Sequence, residues 1–302
     1  MNLLRVNNLY FGYRKGEEVL KNISFEVTDG ITCILGPNGC GKTTLMKILA
    51  TLLKYGKGQI IFNDLDYANP SQLMEIRKLI GYLPQRFEAY SQLTAKEFLY
   101  LTINLKCDKK FLDKTKMETM INEIIEVTGL GDYACKKIKT YSGGIKQRLG
   151  IAQALIGESR LIIVDEPTAS IDVQQRKAFK DLINSIKKER CILISTHLLE
   201  DVEVICDNLI VMNKGVVEFC GKYDKFLQKY EGCIWKIQID KQNYSNLKKE
   251  FFVIEERDFG KYIEIKVYSL QKPALGNVEE CLPTLSDAYY LTLNLKGDGS
   301  FQ

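Results

Sequence analysis

Apolar and polar positions change their period several times along the chain, and each change marks an element. Over residues 1–30 they alternate in pieces, as in LLRVNNLYF and LKNISFEV, which predicts antiparallel strands with one face exposed. ITCILG is instead a short unbroken apolar run rich in β-formers and reads as a buried strand. A glycine-rich turn follows, then TTLMKILATLL with apolar residues at helical spacing, completing a strand–loop–helix unit. Short strands return within 58–84 (GQIIFND, LIGYLPQ), and from about 91 to 155 the period is helical: LTAKEFLYLTINL, MINEIIEVTGL and a helix after SGG. LIIVDEP and CILIST read as further buried strands, and NLIVMNKGVVEF as a strand and a turn. Strands alternating with helices predict an α/β fold with a parallel core sheet. After about residue 225 the texture changes: a helix-like KYDKFLQKYEG leads into WKIQID, NYSNLKKEF and KYIEIKVYSL. This predicts a small α+β appendage, strands around one helix, and a division into 1–224 and 225–302 with a helical portion at about 86–155.

Composition narrows the class without naming it. The 302 residues are 45% apolar and 26% charged, ordinary values for a globular chain. A net charge of +4 is small at this length and gives no reason to expect nucleic acid as a partner. Nine cysteines without a CxxC pair argue against a disulfide framework or a zinc site and for reduced, cytoplasmic thiols. The N-terminus lacks a long apolar run, and no run reaches the ~18 residues of a membrane span, so work at a membrane would require docking.

The glycine-rich turn, GPNGCGKTT at 36–44, matches G-x-x-x-x-G-K-[ST] in the strand–loop–helix setting that gives the motif its meaning. Gly36, Gly39 and Gly41 allow backbone N–H groups to close around a phosphate, at the positive end of the following helix. Lys42 can reach the β- and γ-phosphates, and the Thr43 hydroxyl can ligate Mg²⁺. Asn38, Cys40 and Thr44 complete the nucleotide-binding loop; the Cys40 thiol, placed inside it, is expected to admit bulky reagents that inhibit. LIIVDEP ends a buried strand with two acids: Asp165, suited to hold Mg²⁺, and Glu166, suited to polarise an attacking water. A solvated acidic pair ending a strand is the bland alternative, and the phosphate cradle upstream disfavours it.

YSGGIKQR at 141–148 resembles the signature sequence of ABC ATPases, usually LSGGQ followed by basic residues. Ser142 can cap the helix that it opens or donate to a phosphate, with Gly143 and Gly144 permitting close approach. The remaining elements follow in family order. Gln85 in GYLPQ resembles the glutamine that reports on Mg²⁺ and water. Asp172 in ASID resembles the loop aspartate, and His197 in ISTHLLED, the only histidine, resembles the switch histidine. Tyr13 in FGYRKG resembles the aromatic that stacks on adenine, with Phe11 a second candidate. Departures are Tyr141 for Leu, Ile145 and Lys146 after the glycines, and Ile171 before Asp172; none removes a catalytic group.

The resemblance implies a P-loop NTPase with a RecA-like core sheet, an antiparallel β subdomain and a helical subdomain. It implies ATP and Mg²⁺ as cofactors, with Thr43, Gln85 and Asp165 around the metal. It implies Glu166, His197 and Gln85 as catalytic residues, and a second cassette whose signature closes this chain's site, a homodimer being the simplest arrangement. It further implies a separate transmembrane permease met by residues 86–105, which alternatively are plain helical core, and a place at the inner face of the cell membrane. The tail, with Pro283, Leu285, Asp287 and Tyr289, is similar to that of two-component exporters of antibiotics, drugs or sodium; a plain packing role is the alternative. A soluble ABC ATPase acting on nucleic acid or ribosomes is the competing class. The short cradle-to-signature gap without heptads, and the single cassette, disfavour it.

Overall fold

The computed structural model describes residues 1–14, 16–107, 113–168, 172–242 and 244–295; Ile171, with Ala169 and Ser170, lies outside the described residues. The chain divides into two compact units, Met1–Cys220 and Gly221–Gln302.

In the first unit the alternating N-terminal segments are β1 (Leu3–Arg14) and β2 (Glu17–Thr28), paired antiparallel. With β4 (Lys57–Phe62) and β5 (Leu65–Asp66) they form a sheet of order β2-β1-β4-β5. Its inner positions, among them Leu4, Val6, Leu20, Ile23, Ile60 and Phe62, are wholly buried.

The apolar runs form the core of a six-stranded sheet. It contains β3 (Gly30–Leu35), β6 (Ile80–Leu83), β7 (Leu161–Asp165), β8 (Cys191–Thr196), β9 (Asn208–Asn213) and β10 (Val216–Lys222). The order is β10-β9-β3-β8-β7-β6, and β6, β7, β8, β3 and β9 run parallel. Burial on both faces explains why these strands read as continuous hydrophobic runs. Register aligns their ends: Leu35 pairs with Thr196 and Asp165 with Ser195. Gly36, Glu166 and His197 therefore leave the sheet at one edge, the carboxyl edge where open α/β sheets bind ligands.

Helix α1 (Lys42–Leu49) follows β3, and α2 (Leu73–Leu79), not anticipated from the sequence, precedes β6. The helical portion holds α3 (Ala95–Lys106), α4 (Lys114–Val127) and α5 (Gly143–Leu155). The stretch 86–94, expected to be helical, is not. Lys139 N donates to Ser91 O at 3.0 Å and Ile138 N to Leu93 O at 2.9 Å, so these carbonyls are engaged across the chain. A capping box between Thr94 and Glu97 then fixes the helix start at Ala95. Helices α6 (Val173–Ile186) and α7 (Leu199–Ile205) follow β7 and β8.

The second unit has β11 (Ile234–Asp240), β12 (Phe252–Asp258), β13 (Tyr262–Tyr268) and β14 (Val278–Glu280) in the antiparallel order β12-β13-β11-β14. Among its described residues there are three helices, not one: α8 (Tyr223–Gln228), α9 (Tyr244–Glu250) and α10 (Leu285–Asn294). On one sheet face Trp235, Ile237, Ile265 and Val267 pack with Leu247 of α9. The tail motif becomes α10. Thr284 caps it, Asp287 returns the box bond to Thr284 N at 3.0 Å, and Lys266 donates to both Asp287 oxygens at 3.2 Å.

Asp287→Ala removes the return bond of the capping box and strands Lys266 without this carboxylate, so this unit should lose about 2–4 kcal/mol. Urea unfolding followed by Trp235, the chain's single tryptophan, measures that loss.

Candidate nucleotide-binding site

The loop after β3 is shaped by what it cannot carry. A Cβ on Gly36 would fall 2.4 Å from Met212 O and 2.7 Å from Cys40 Sγ. Gly41 has φ 106°, and a Cβ there would meet Leu20 Cδ2 at 2.7 Å. Helix α1 begins without a side-chain cap, so its first N–H groups are left for whatever enters the loop. Buried Lys42 lies across the loop, donating to Gly36 O at 2.8 Å and Pro37 O at 3.2 Å. Cys40 departs from expectation. Its side chain is buried in the core beside Gly36, and burial pushes the thiol pKa up, so bulky reagents do not meet an open thiolate. It contributes to the loop through its backbone, N–H to Pro37 O at 3.3 Å.

Asp165 ends β7 and is buried; Thr43 donates to its Oδ1 at 3.2 Å and Ser195 at 2.6 Å. Burial raises its pKa, and the two hydroxyls oppose that rise. Its other oxygen, Oδ2, is buried and has no hydrogen-bond partner. A free carboxylate oxygen beside the Thr43 hydroxyl, with the Gln85 amide in the same cluster, is a hard oxygen donor set and fits Mg²⁺.

Glu166 adopts a left-handed φ of 45°, uncommon for such a residue, and Ser195 anchors it. Glu166 N donates to Ser195 O at 3.1 Å and to Ser195 Oγ at 2.9 Å. Three residues distant in sequence then meet the Glu166 carboxylate. Lys42 Nζ lies 3.3 Å from Oε1, Gln85 Nε2 donates to Oε2 at 3.0 Å, and His197 Nδ1 is 3.4 Å from Oε2 without hydrogen-bond alignment.

Lys42, Thr43, Gln85, Asp165, Glu166 and His197 thus share one site. Tyr13 stands at its margin, 60% exposed, with its hydroxyl 3.2 Å from Thr44 Oγ1 and its ring edge-on to Phe11 at 5.0 Å. The signature residues are elsewhere in their contacts. Ser142 is exposed and caps α5, accepting from Ile145 N at 3.5 Å; Gly143 is exposed, and Gly144 lies against Gln175. Exposed Asp172 caps α6 through Gln175 N at 2.8 Å. Tyr141, in the place of Leu, is buried and donates its hydroxyl to Tyr133 O at 2.7 Å, which accounts for that departure. Sequence reasoning missed Ser195; its only signal was a hydroxyl two residues before His197.

The sheet order, loop and paired acids define the class: a P-loop nucleotide hydrolase of the cassette type. A family model described as ABC transporter matches residues 20–169. The chain is 36% identical over 255 residues to the uncharacterized ABC transporter ATP-binding protein YxlF of Bacillus subtilis (strain 168), covering 83% of this chain and 81% of that protein. It is 32% identical to YdbJ of the same organism, also described as an uncharacterized ABC transporter ATP-binding protein, covering 82% and 79%. Among solved structures it resembles the dimeric post-hydrolysis state of the ATP-binding cassette MJ0796 bound to ADP and Pi. There the TM-score is 0.64, the identity 25%, and the coverage 72% of this chain and 98% of that one. The chain belongs to the ABC transporter ATP-binding proteins and is an ATPase.

Ser195→Ala removes a hydroxyl that serves Asp165 and Glu166 together. Hydrogen bonds to charged groups contribute about 1.5–3 kcal/mol, so turnover should fall about ten- to a hundredfold. Steady-state hydrolysis beside an ATP-binding titration checks this, affinity staying within about threefold because Ser195 lies behind the acids.

Proposed function

We propose that this chain hydrolyses ATP at an interface between two cassettes, driving export through a separate transmembrane permease. One observation carries the chemistry: Lys42, Gln85 and His197, from three loops, converge on the Glu166 carboxylate at the edge of the nucleotide loop. Lys42 and the backbone of Gly36–Thr44 bind the phosphates. Tyr13 stacks on the base. Thr43, Asp165 and Gln85 would hold Mg²⁺, which when bound neutralises charge developing on the β- and γ-phosphate oxygens. Glu166 orients and polarises the attacking water, and His197, on the far side of that carboxylate, contacts the γ-phosphate.

Ser142, Gly143, Gly144 and Asp172 close the site of a second copy, the homodimer giving two equivalent sites. The dimeric solved relative bound to ADP and Pi supports this reading. ATP then acts as glue, and its cleavage loosens the pair. The relatives named as transporter ATP-binding proteins support a transport role. No helix among the described residues is long and apolar enough to cross a membrane. Residues 86–105 are the docking segment for the permease in this reading, with the chain at the inner face of the membrane; the 68% exposure of Tyr90 supports it. Export is favoured by the likeness of the tail to two-component exporters.

Glu166→Gln should keep ATP, lower turnover about 10²–10⁴-fold and elute as a dimer with ATP on a sizing column. Unaltered hydrolysis, or a monomer with ATP bound, would remove Glu166 or the dimer from this reading. Lys42→Ala should lose most nucleotide affinity, read by equilibrium titration with ATP; normal binding refutes its role.

A further inference from the structure

We propose that Asp201 is a positioning residue for hydrolysis: one buried carboxylate that ties the loop carrying Glu166 to the loop carrying His197. The proposal rests on the roles given above to those two residues.

Asp201 is 1% exposed, in the first turn of α7. Its Oδ2 accepts two hydroxyls from the ends of neighbouring strands, Thr168 Oγ1 just after β7 and Thr196 Oγ1, at the end of β8, at 3.1 Å. Thr168 stands two residues after Glu166. Thr196 directly precedes His197, and its Oγ1 also accepts Leu198 N at 3.0 Å, so the bonds bracket the histidine. Its other oxygen faces α6, with Lys180 Nζ at 3.8 Å and Arg176 Nε at 3.9 Å. Lys180 also donates to Glu200 O at 2.9 Å, and Arg176 to Glu200 Oε2 at 2.7 Å.

A salt link that merely neutralises α6 would account for Oδ1. It leaves unexplained why Oδ2 gathers hydroxyls from both strand ends. The strained backbone of Glu166 supplies the reason. Ser195 anchors it from its own position, and Thr168 anchors the chain just beyond. The other oxygen of Asp201 also faces α6, the helix that Asp172 caps. Asp201 touches no reacting atom; it makes the placement of Glu166 and His197 a single arrangement.

Thr168→Val removes one hydroxyl and leaves every charge in place, and Thr168→Ser restores the hydroxyl. At 25 °C, with thermal unfolding recorded for each variant, Thr168→Val should lower kcat about tenfold, the size of one hydrogen bond to a charged group, with KM within about threefold. Thr168→Ser should return to within about threefold of the parent. Adding Thr168→Val to Asp201→Asn should slow Asp201→Asn no further, because the two act as one unit. If Asp201→Asn does not fold, the comparison of Thr168→Val with Thr168→Ser decides the proposal alone. Parental turnover in Thr168→Val overturns the proposal, as does a Thr168→Ser as slow as Thr168→Val. Glu166→Gln in the same assay separates the two levels. Its inactivity beside an active Thr168→Val sinks Asp201 alone, and its continued turnover sinks the reading of Glu166 and this one with it.

Discussion

The buried pair of Lys42 and Glu166 is the contact on which the rest of the site depends. Their side chains are 3% and 9% exposed and 3.3 Å apart. Two charges taken out of water at that distance are stable only if their remaining hydrogen-bonding capacity is met. It is met from the ends of the sheet: Gly36 O and Pro37 O for the ammonium, Gln85 for the carboxylate. The arrangement is therefore a poised one. In the function proposed above, a polyphosphate in the loop competes with Glu166 for Lys42, and the carboxylate it displaces becomes free to take a water. Parallel register makes this geometry, since Leu35, Asp165, Ser195 and Thr196 end their strands in line.

What the sequence reveals of this site is the part whose chemistry is local. GPNGCGKTT carries its own turn, helix start and cation in nine consecutive residues, and Asp165 and Glu166 follow an unmistakable apolar strand. Ser195 is hidden because its role comes from pairing with Asp165, a register that no local pattern contains. Asp201 is hidden for the same reason: it looks like one of several acids after His197, and only packing of α7 against α6 and two strand ends buries it. Cys40 illustrates the converse. Its place within the motif suggested an open thiol, yet its Sγ lies against the bare face of Gly36 and the side chain belongs to the core.

The fold was legible where one element's period decides it and illegible where distant chain decides it. The antiparallel and parallel strands of the first unit follow their alternating and continuous patterns. The end of extended chain at Thr94 does not, because residues 137–139 hold 91–93 out of the helix. In the second unit the tail motif looked like a family mark. Its residues also have a structural role in α10: Thr284 and Asp287 close a capping box, and buried Leu285, Ala288 and Leu291 give the packing face. The box was readable from Thr284 and Asp287 alone; the bond from Lys266, which lies on β13, was not.

Two glycines of the signature ask different questions. Gly144 has a modest internal reason to be small: a Cβ there would meet the Gln175 side chain at 2.9 Å, a flexible end that can turn aside. Gly143 has no such reason: nothing lies within 4 Å of the Cβ it lacks, and its φ is not left-handed. Glycine costs more backbone entropy on folding than alanine, and no contact among the described residues requires it at this position. In the function proposed above, the reason is a surface outside the chain that approaches the start of α5 more closely than a methyl group allows. Ser142, exposed beside it, has hydroxyl capacity beyond its one long bond to Ile145 N. A phosphate held in the cradle of a second copy has the size and the charge to meet both, and that is the physical argument for the dimer that a single chain can make.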